Sequence, residues 1–186
     1  MTATAVLVPV KAFTRAKLRL APAVAPEERA RLARLWAEHV LAVAAPLPVA
    51  VVCDDPAVAA WATDAGARVV WAPGRGLNGA VESGVADLRD SGVARVIVAH
   101  GDLPLAGDLR WVARFPGVTI VPDHGDDGTN VISLPTAAPF RFAYGPASFR
   151  RHGAETRRLG LGLRVVRDPL LGRDIDLPAD LAALCV

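Results

Sequence analysis

VLVPVKAFTRAKLRL, Val6 to Leu20, decides the fold. Its first five residues are apolar, with β-branched valines and no polar interruption, the pattern of a strand buried on both faces of a parallel sheet. The strand runs directly into a loop crowded with cations. Of the chain's 21 basic residues only two are lysines, Lys11 and Lys17, and both lie in this loop. The loop therefore reads as the carboxyl-terminal edge of a buried strand with an anion in front of it.

The same grammar repeats outward from that strand. Pro26, Glu27 and Glu28 open a helix with acids in its first turn, where they meet the helix dipole. Leu32, Leu35, Trp36, Val40 and Val43 follow at helical spacing. PVAVVC is a second strand. DDPAVAAWATDAG is a helix with Asp55 as cap, Pro56 at the first position and Gly66 at the end. ARVVWA is a third strand, and PGRGLNG turns into a helix reaching about Ser91. ARVIVAH is a fourth strand that delivers Gly101 and Asp102. A short helix around Leu109 to Phe115 leads to a fifth strand, GVTIVPD. The second half predicts a strand from about Asn130, a helix from about Pro146 to Gly160, and a strand at LRVVRD. RDIDLPADLAALC ends the chain as a short strand segment and a helix. Alternating strands and helices with short connections predict an α/β fold: one doubly wound, Rossmann-like, mostly parallel sheet, with residues 1–186 forming a single domain.

Bulk properties narrow the function. The 186 residues are 52% hydrophobic and 22% charged, the balance of a soluble globular chain. A net charge of +2 is too small for a duplex nucleic acid or acidic membrane partner. No run is long and apolar enough to span a bilayer, and no secretory signal is visible. Cys53 and Cys185 stand far apart and read as reduced thiols of a cytoplasmic protein. GxxxxGK[ST], GxGxxG after the first strand, GxSxG and zinc-spaced His/Cys clusters are all absent, which argues against P-loop, dinucleotide-binding, serine-hydrolase and zinc chemistry.

Ligands of open parallel sheets bind beyond the carboxyl ends of the strands. Those ends carry Lys11, Arg15, Lys17 and Arg19 after the first strand, and Gly74, Gly76, Leu77 and Asn78 after the third. His100 and Asp102 follow the fourth strand, and Asp174 and Asp176 come late in the chain. Cations for phosphate, glycines for close backbone approach and carboxylates for a hard cation are the inventory for a nucleoside triphosphate with Mg2+. Asn78 is the candidate reader of the base or sugar. Each feature also has a plain structural reading: Lys11 and Lys17 as solvated cations, Asp102 as a turn cap, PGRG as a tight turn, and Asp174 or Asp176 as the cap of the last helix. His39 reads as a satisfied helix-face residue, His124 and His152 as surface residues, and the tryptophans as packing.

PVKAFTRAKLRLAP, VVCDDPAV, PGRGLNGAVESG, VIVAHGDLPL, PDHGDDGTNVISL, FAYGPASFRRH and DIDLPADLAAL occur in this order over nearly the whole chain. In series they resemble the 2-phospho-L-lactate or phosphoenolpyruvate guanylyltransferases of coenzyme F420 biosynthesis. The resemblance implies a fold like that of nucleotide-diphospho-sugar transferases. It also implies transfer of GMP from GTP to a small phosphorylated carboxylic acid, with release of pyrophosphate. By matched position, it implies acceptor contacts at Thr129, Gly145 and Ser148, a Mg2+ region at Asp102, Asp174 and Asp176, and nucleotide contacts at Lys11, Lys17 and Gly74 to Asn78. Three departures are visible: Gly101 where relatives commonly have alanine, Ala147 where they have glycine, and Leu177 where they have threonine. The first two swaps are small. The third leaves open which of Asp174 and Asp176 is the ligand. Another phosphorylated acceptor (3-phosphoglycerate, a molybdopterin or a sugar phosphate) and a catalytically silent nucleotide-binding subunit are the alternatives.

Overall fold

The computed structural model describes residues 3–184. Seven strands form one sheet: β1 (Thr4–Pro9), β2 (Val49–Cys53), β3 (Arg68–Trp71), β4 (Arg95–Ala99), β5 (Val118–Pro122), β6 (Thr129–Pro135) and β7 (Leu163–Val165), in the order β3-β2-β1-β4-β6-β5-β7. β1 is central, and residues 5 to 8 are fully buried, as its uninterrupted apolar run requires. Pairing is parallel from β3 through β4 and between β5 and β7, while β6 runs antiparallel to both β4 and β5.

Alternation along β1 sends Val6 and Val8 to one core layer and Ala5 and Leu7 to the other. The first layer lies under α1 (Pro26–Ala44) and α2 (Pro56–Asp64). The second lies under α3 (Gly76–Asp90) and the aromatic run Phe140, Phe142 and Tyr144, which precedes α4 (Ser148–Arg158). Helices on both faces are the doubly wound arrangement that the sequence pattern predicts. Gly84 lets α3 approach β1 closely, because a Cβ there would sit 2.7 Å from Leu7 Cδ1. Asp55 caps α2 as expected, its Oδ1 accepting the N–H groups of Ala57 (3.0 Å) and Val58 (3.1 Å).

Several local expectations are corrected. Leu35 points outward, because the buried stripe of α1 runs through Ala33, Trp36, Ala37, Val40 and Ala44 instead. Trp71 is half exposed on edge strand β3 and does not pack in the core. The helix around Leu109 is a 3-10 turn, Arg110–Arg114. The strand expected before the last helix does not form: Ile175 is instead buried with Leu20 and Trp36, fastening residues 174–177 across the basic loop. The last helix is α5 (Pro178–Leu184), and Cys185 lies outside the described residues. No helix among the described residues is long and apolar enough to cross a membrane.

Candidate active site

The chain leaves β1 toward β2 on one side and returns to β4 on the other, so the strand order reverses between β1 and β4. Such a switch point opens a crevice at the carboxyl ends of the two strands. A cavity of about 380 Å3 occupies it, walled by the end of β1, the basic loop, α1 and the His100 to Asp102 turn. Lys11, Arg15, Lys17, Arg19, Leu77, Asp102 and Asp176 all line it. A smaller cleft beside it adds Gly76.

Lys17 is the organising residue. It sits between two 3-10 turns, Phe13–Arg15 and Leu18–Leu20, in a left-handed conformation with φ of 54°. Its ammonium donates to Asp102 Oδ2 at 2.6 Å and to Asp176 Oδ1 at 3.0 Å, with the side chain only 7% exposed. It also lies 5.7 Å from the centre of the Trp36 ring. Arg19 donates to the other oxygen of Asp176 at 3.2 Å. Burial pulls the Lys17 pKa down, but the Asp102 and Asp176 charges outweigh it and raise the pKa above the usual lysine value. Burial likewise pushes Asp102 up, and the Lys17 and His100 charges outweigh it to leave that carboxyl below its usual range. The remaining Asp102 oxygen, Oδ1, is buried with no hydrogen-bond partner among the described residues.

Asp174 and Asp176 have separate surroundings. Asp174 Oδ1 accepts from Asn130 Nδ2 at 3.3 Å, and burial and then the Asp102 charge raise its pKa. Neither aspartate caps the last helix. Asp180 does so, its Oδ2 accepting the N–H groups of Asp176 (3.1 Å) and Leu177 (2.7 Å). Leu177 thus stands just before the first turn of α5, where a threonine hydroxyl would act as a helix cap.

Gly74 and Gly76 have positive φ, 70° and 61°, which lets the chain turn sharply into α3. Asn78, the candidate base reader, has its carboxamide oxygen engaged elsewhere: Oδ1 accepts the Tyr144 N–H at 2.7 Å, tying α3 to the segment before α4.

The acceptor residues implied by the resemblance form a second group beside α4, outside the wall of the large cavity. Thr129 begins β6 and is 2% exposed, Gly145 has φ of 110°, and Ser148 is the buried first residue of α4. Asp127 braces this corner by accepting the Ala147 N–H at 3.0 Å. His152, one helical turn beyond Ser148, is fully buried, contrary to its expected surface position. Its Nε2 accepts the Ala143 N–H at 2.9 Å, so Nδ1 carries the proton and donates to Thr129 Oγ1 at 3.0 Å. With an oxygen lone pair so occupied, the Thr129 hydroxyl hydrogen is left to another acceptor. His39, by contrast, is satisfied as expected, with Nε2 at 2.8 Å from the Ala106 carbonyl. His124 is exposed as expected.

His152, Asn130 and Asp180 escape sequence reasoning because their partners lie elsewhere in the chain or compete with nearer candidates. The only local sign is the four-residue spacing of Ser148 and His152, which puts them on one helix face. Gly101 bears out its reading as a neutral swap: an added Cβ would meet Ala37, Val8 and Val10 at 3.5 to 3.7 Å, ordinary contact. Ala147 is different, because it adopts the left-handed conformation, φ 57°, that glycine accepts without strain.

A switch-point crevice with paired cations and carboxylates, on a sheet with one antiparallel strand, defines a nucleotidyltransferase-type fold. Solved structures with this fold include a protein described as a nucleotide-diphospho-sugar transferase from Desulfovibrio desulfuricans G20, with a TM-score of 0.81, 18% identity, and 99% of this chain and 87% of that one covered. A 4-diphosphocytidyl-2C-methyl-D-erythritol synthase matches with a TM-score of 0.67 and 13% identity, over 99% of this chain and 97% of that one. The family is narrower: residues 4–186 match the family described as "Guanylyl transferase CofC like", and the chain belongs to it. It is 39% identical to the phosphoenolpyruvate guanylyltransferase of Roseiflexus castenholzii (strain DSM 13941 / HLO8), over 96% of this chain and 86% of that protein. It is 32% identical to the 2-phospho-L-lactate guanylyltransferase of Methanothermobacter thermautotrophicus (strain ATCC 29096 / DSM 1053 / JCM 10044 / NBRC 100330 / Delta H), over 97% and 83%. The chain is therefore a transferase of the guanylyltransferase kind.

Proposed function

We propose that this enzyme joins GMP from GTP to phosphoenolpyruvate or 2-phospho-L-lactate, in the cytoplasm, as a step of coenzyme F420 biosynthesis. The observation that carries the reading is the Lys17 ammonium held between Asp102 and Asp176 in the wall of the switch-point cavity. An acceptor phosphate oxygen attacks the α-phosphorus of GTP. A P–O bond forms, the bond to the β-phosphate oxygen breaks, and its electron pair leaves with pyrophosphate. The acceptor phosphate is already ionised, so no protein base or nucleophile is required, and catalysis consists of alignment and charge stabilisation.

Lys11 and Arg15 line the cavity with no ion-pair partner among the described residues, so both are available to the triphosphate. Thr129 offers its hydroxyl hydrogen to the acceptor. Ser148 and the backbone around Gly145 complete that subsite.

Mg2+ suits the donor set. The unpartnered Asp102 Oδ1 and the Asp174 carboxyl, raised by burial and by the charge of Asp102, both favour a nearby cation. Asp176, already held by Lys17 and Arg19, is the weaker candidate. Such an ion takes one or two carboxylates together with substrate phosphates, and when bound it neutralises charge on the phosphate oxygens.

The deciding experiment supplies the purified protein with GTP, Mg2+ and, separately, phosphoenolpyruvate, 2-phospho-L-lactate and 3-phosphoglycerate. Pyrophosphate release and a product mass equal to acid plus GMP are expected with one of the first two. No pyrophosphate with any of the three refutes the reading.

A further inference from the structure

We infer that Asp54 reads the guanine base, a role resting on the proposed use of GTP. The large cavity continues into the smaller cleft of about 70 Å3, which lies over the carboxyl ends of β2 and β3. The two share Pro9, Val10, Lys11 and Leu77 among their walls, so they adjoin along one crevice edge. Lys17 and Asp102 mark the phosphate end. A nucleotide laid along the crevice with its phosphates there directs its base toward the cleft.

The cleft has the chemistry of a base slot. Val52, Ala72 and Ala80 give it small apolar walls, as the face of a base would require. Asp54 lines it from the end of β2. Its carboxylate is exposed and has no hydrogen-bond or ion-pair partner among the described residues. The neighbouring Asp55 is spent on capping α2, so the two adjacent aspartates divide the work.

An ionised carboxylate only accepts hydrogen bonds. Guanine presents two adjacent donors on one edge, N1–H and the 2-amino group, and two carboxylate oxygens accept both at once. Adenine presents a bare N1 acceptor on that edge and is repelled. A carboxylate in this position therefore selects guanine by attraction and rejects adenine by lone-pair repulsion. It also supplies hydrogen-bond acceptors that the Asn78 carboxamide oxygen, bonded to the Tyr144 N–H, does not.

The test uses the full chain with GTP, ITP (which lacks the 2-amino group) and XTP (which carries a carbonyl there). Affinity is measured by calorimetry without acceptor, and kcat/KM by pyrophosphate release with phosphoenolpyruvate. The wild type is expected to prefer GTP to ITP at least tenfold, the loss that follows from removing one charge-assisted hydrogen bond. Asp54→Ala is expected to bring the GTP/ITP ratio near 1. Asp54→Asn is expected to reverse the order of GTP and XTP, because a carboxamide accepts from N1–H and donates to the carbonyl of xanthine. Melting temperatures of both variants should match the wild type, since Asp54 is exposed. An unchanged GTP/ITP ratio in Asp54→Ala, or an unchanged GTP-over-XTP order in Asp54→Asn, overturns the assignment. If no acid acceptor supports pyrophosphate release, the proposed reaction fails, while the binding ratios still judge Asp54.

Discussion

Acidification should unfold this protein through one buried ring, His152. The ring is fully buried and neutral, with Nε2 accepting from Ala143 and Nδ1–H donating to Thr129. Burial, then the charges of His100 and Arg151, lower its pKa to about 4, and the nearby Glu155 opposes them only in part. In the unfolded chain the ring titrates near 6.5. The folded pKa is depressed, so between about 6.5 and about 4 the unfolded state binds a proton that the folded state refuses. The stabilisation is therefore complete above the upper value and is lost as pH falls toward the lower one. At ~1.4 kcal/mol per unit, the whole interval corresponds to ~3 kcal/mol, of which ~2 kcal/mol disappears between pH 7 and pH 5. Other groups titrate in the same range, so the quantity to measure is the difference between the wild type and His152→Gln. A glutamine side chain can donate and accept in the same place without titrating. Urea unfolding at several pH values should give wild-type stability that falls more steeply than the variant's by that amount. Parallel profiles would refute the reasoning, because they would mean that the ring takes up its proton equally in both states.

Three further outcomes follow from the site. Lys17→Met leaves Asp102 buried without its partner and should cost ~2–4 kcal/mol in urea unfolding, with Asp102→Asn in the same chain recovering stability but not turnover. Ala147→Gly relieves the left-handed strain at φ 57° and should raise stability by ~0.5–1 kcal/mol, read as a higher melting temperature with unchanged kcat. Asp174→Asn should raise the Mg2+ concentration for half-maximal rate by at least about tenfold, with a smaller shift for Asp176→Asn, whose carboxylate is already held by Lys17 and Arg19. Equal shifts would remove the preference for Asp174, and a larger shift in Asp176→Asn would reverse the metal assignment.

The parallel half of the sheet was legible because its signals are local. Buried strands wrote themselves as uninterrupted β-branched runs, and Asp55, Pro56 and Gly66 punctuated the helix between two of them. The antiparallel insertion of β6 between β4 and β5 was not legible, since the direction of a buried strand leaves no mark in its composition. The cations and carboxylates of the site were found by listing strand ends, but their pairing was not. Lys17 meets Asp102 and Asp176 across 85 and 159 residues. His152 read as a surface residue, yet both of its ring nitrogens find partners in other elements, so the neutral ring is satisfied in the interior. A capping role expected for one of the late aspartates falls instead to Asp180, which takes the N–H groups at the start of α5.

The concentration of both lysines in the first loop has a physical reason on the Lys17 side. A single nitrogen must touch carboxylates from two distant segments, at 2.6 and 3.0 Å, while lying 5.7 Å from the centre of the Trp36 ring. A compact ammonium with three donors satisfies that point geometry, whereas a guanidinium would present a planar fork suited to one carboxylate. The result is a cluster in which Lys17 and Arg19 offset two of the three acids, Asp102, Asp174 and Asp176. The acid left over is Asp174, whose pKa is raised by burial and then by the charge of Asp102. In the proposed reaction a divalent cation arriving with the triphosphate would reverse the local balance, leaving Lys11 and Arg15, which line the same wall, to meet the phosphates. In the proposed reaction the same loop thus acts twice: Lys17 keeps the acids together before the nucleotide arrives, and the unpaired cations beside it receive the charge that the nucleotide brings.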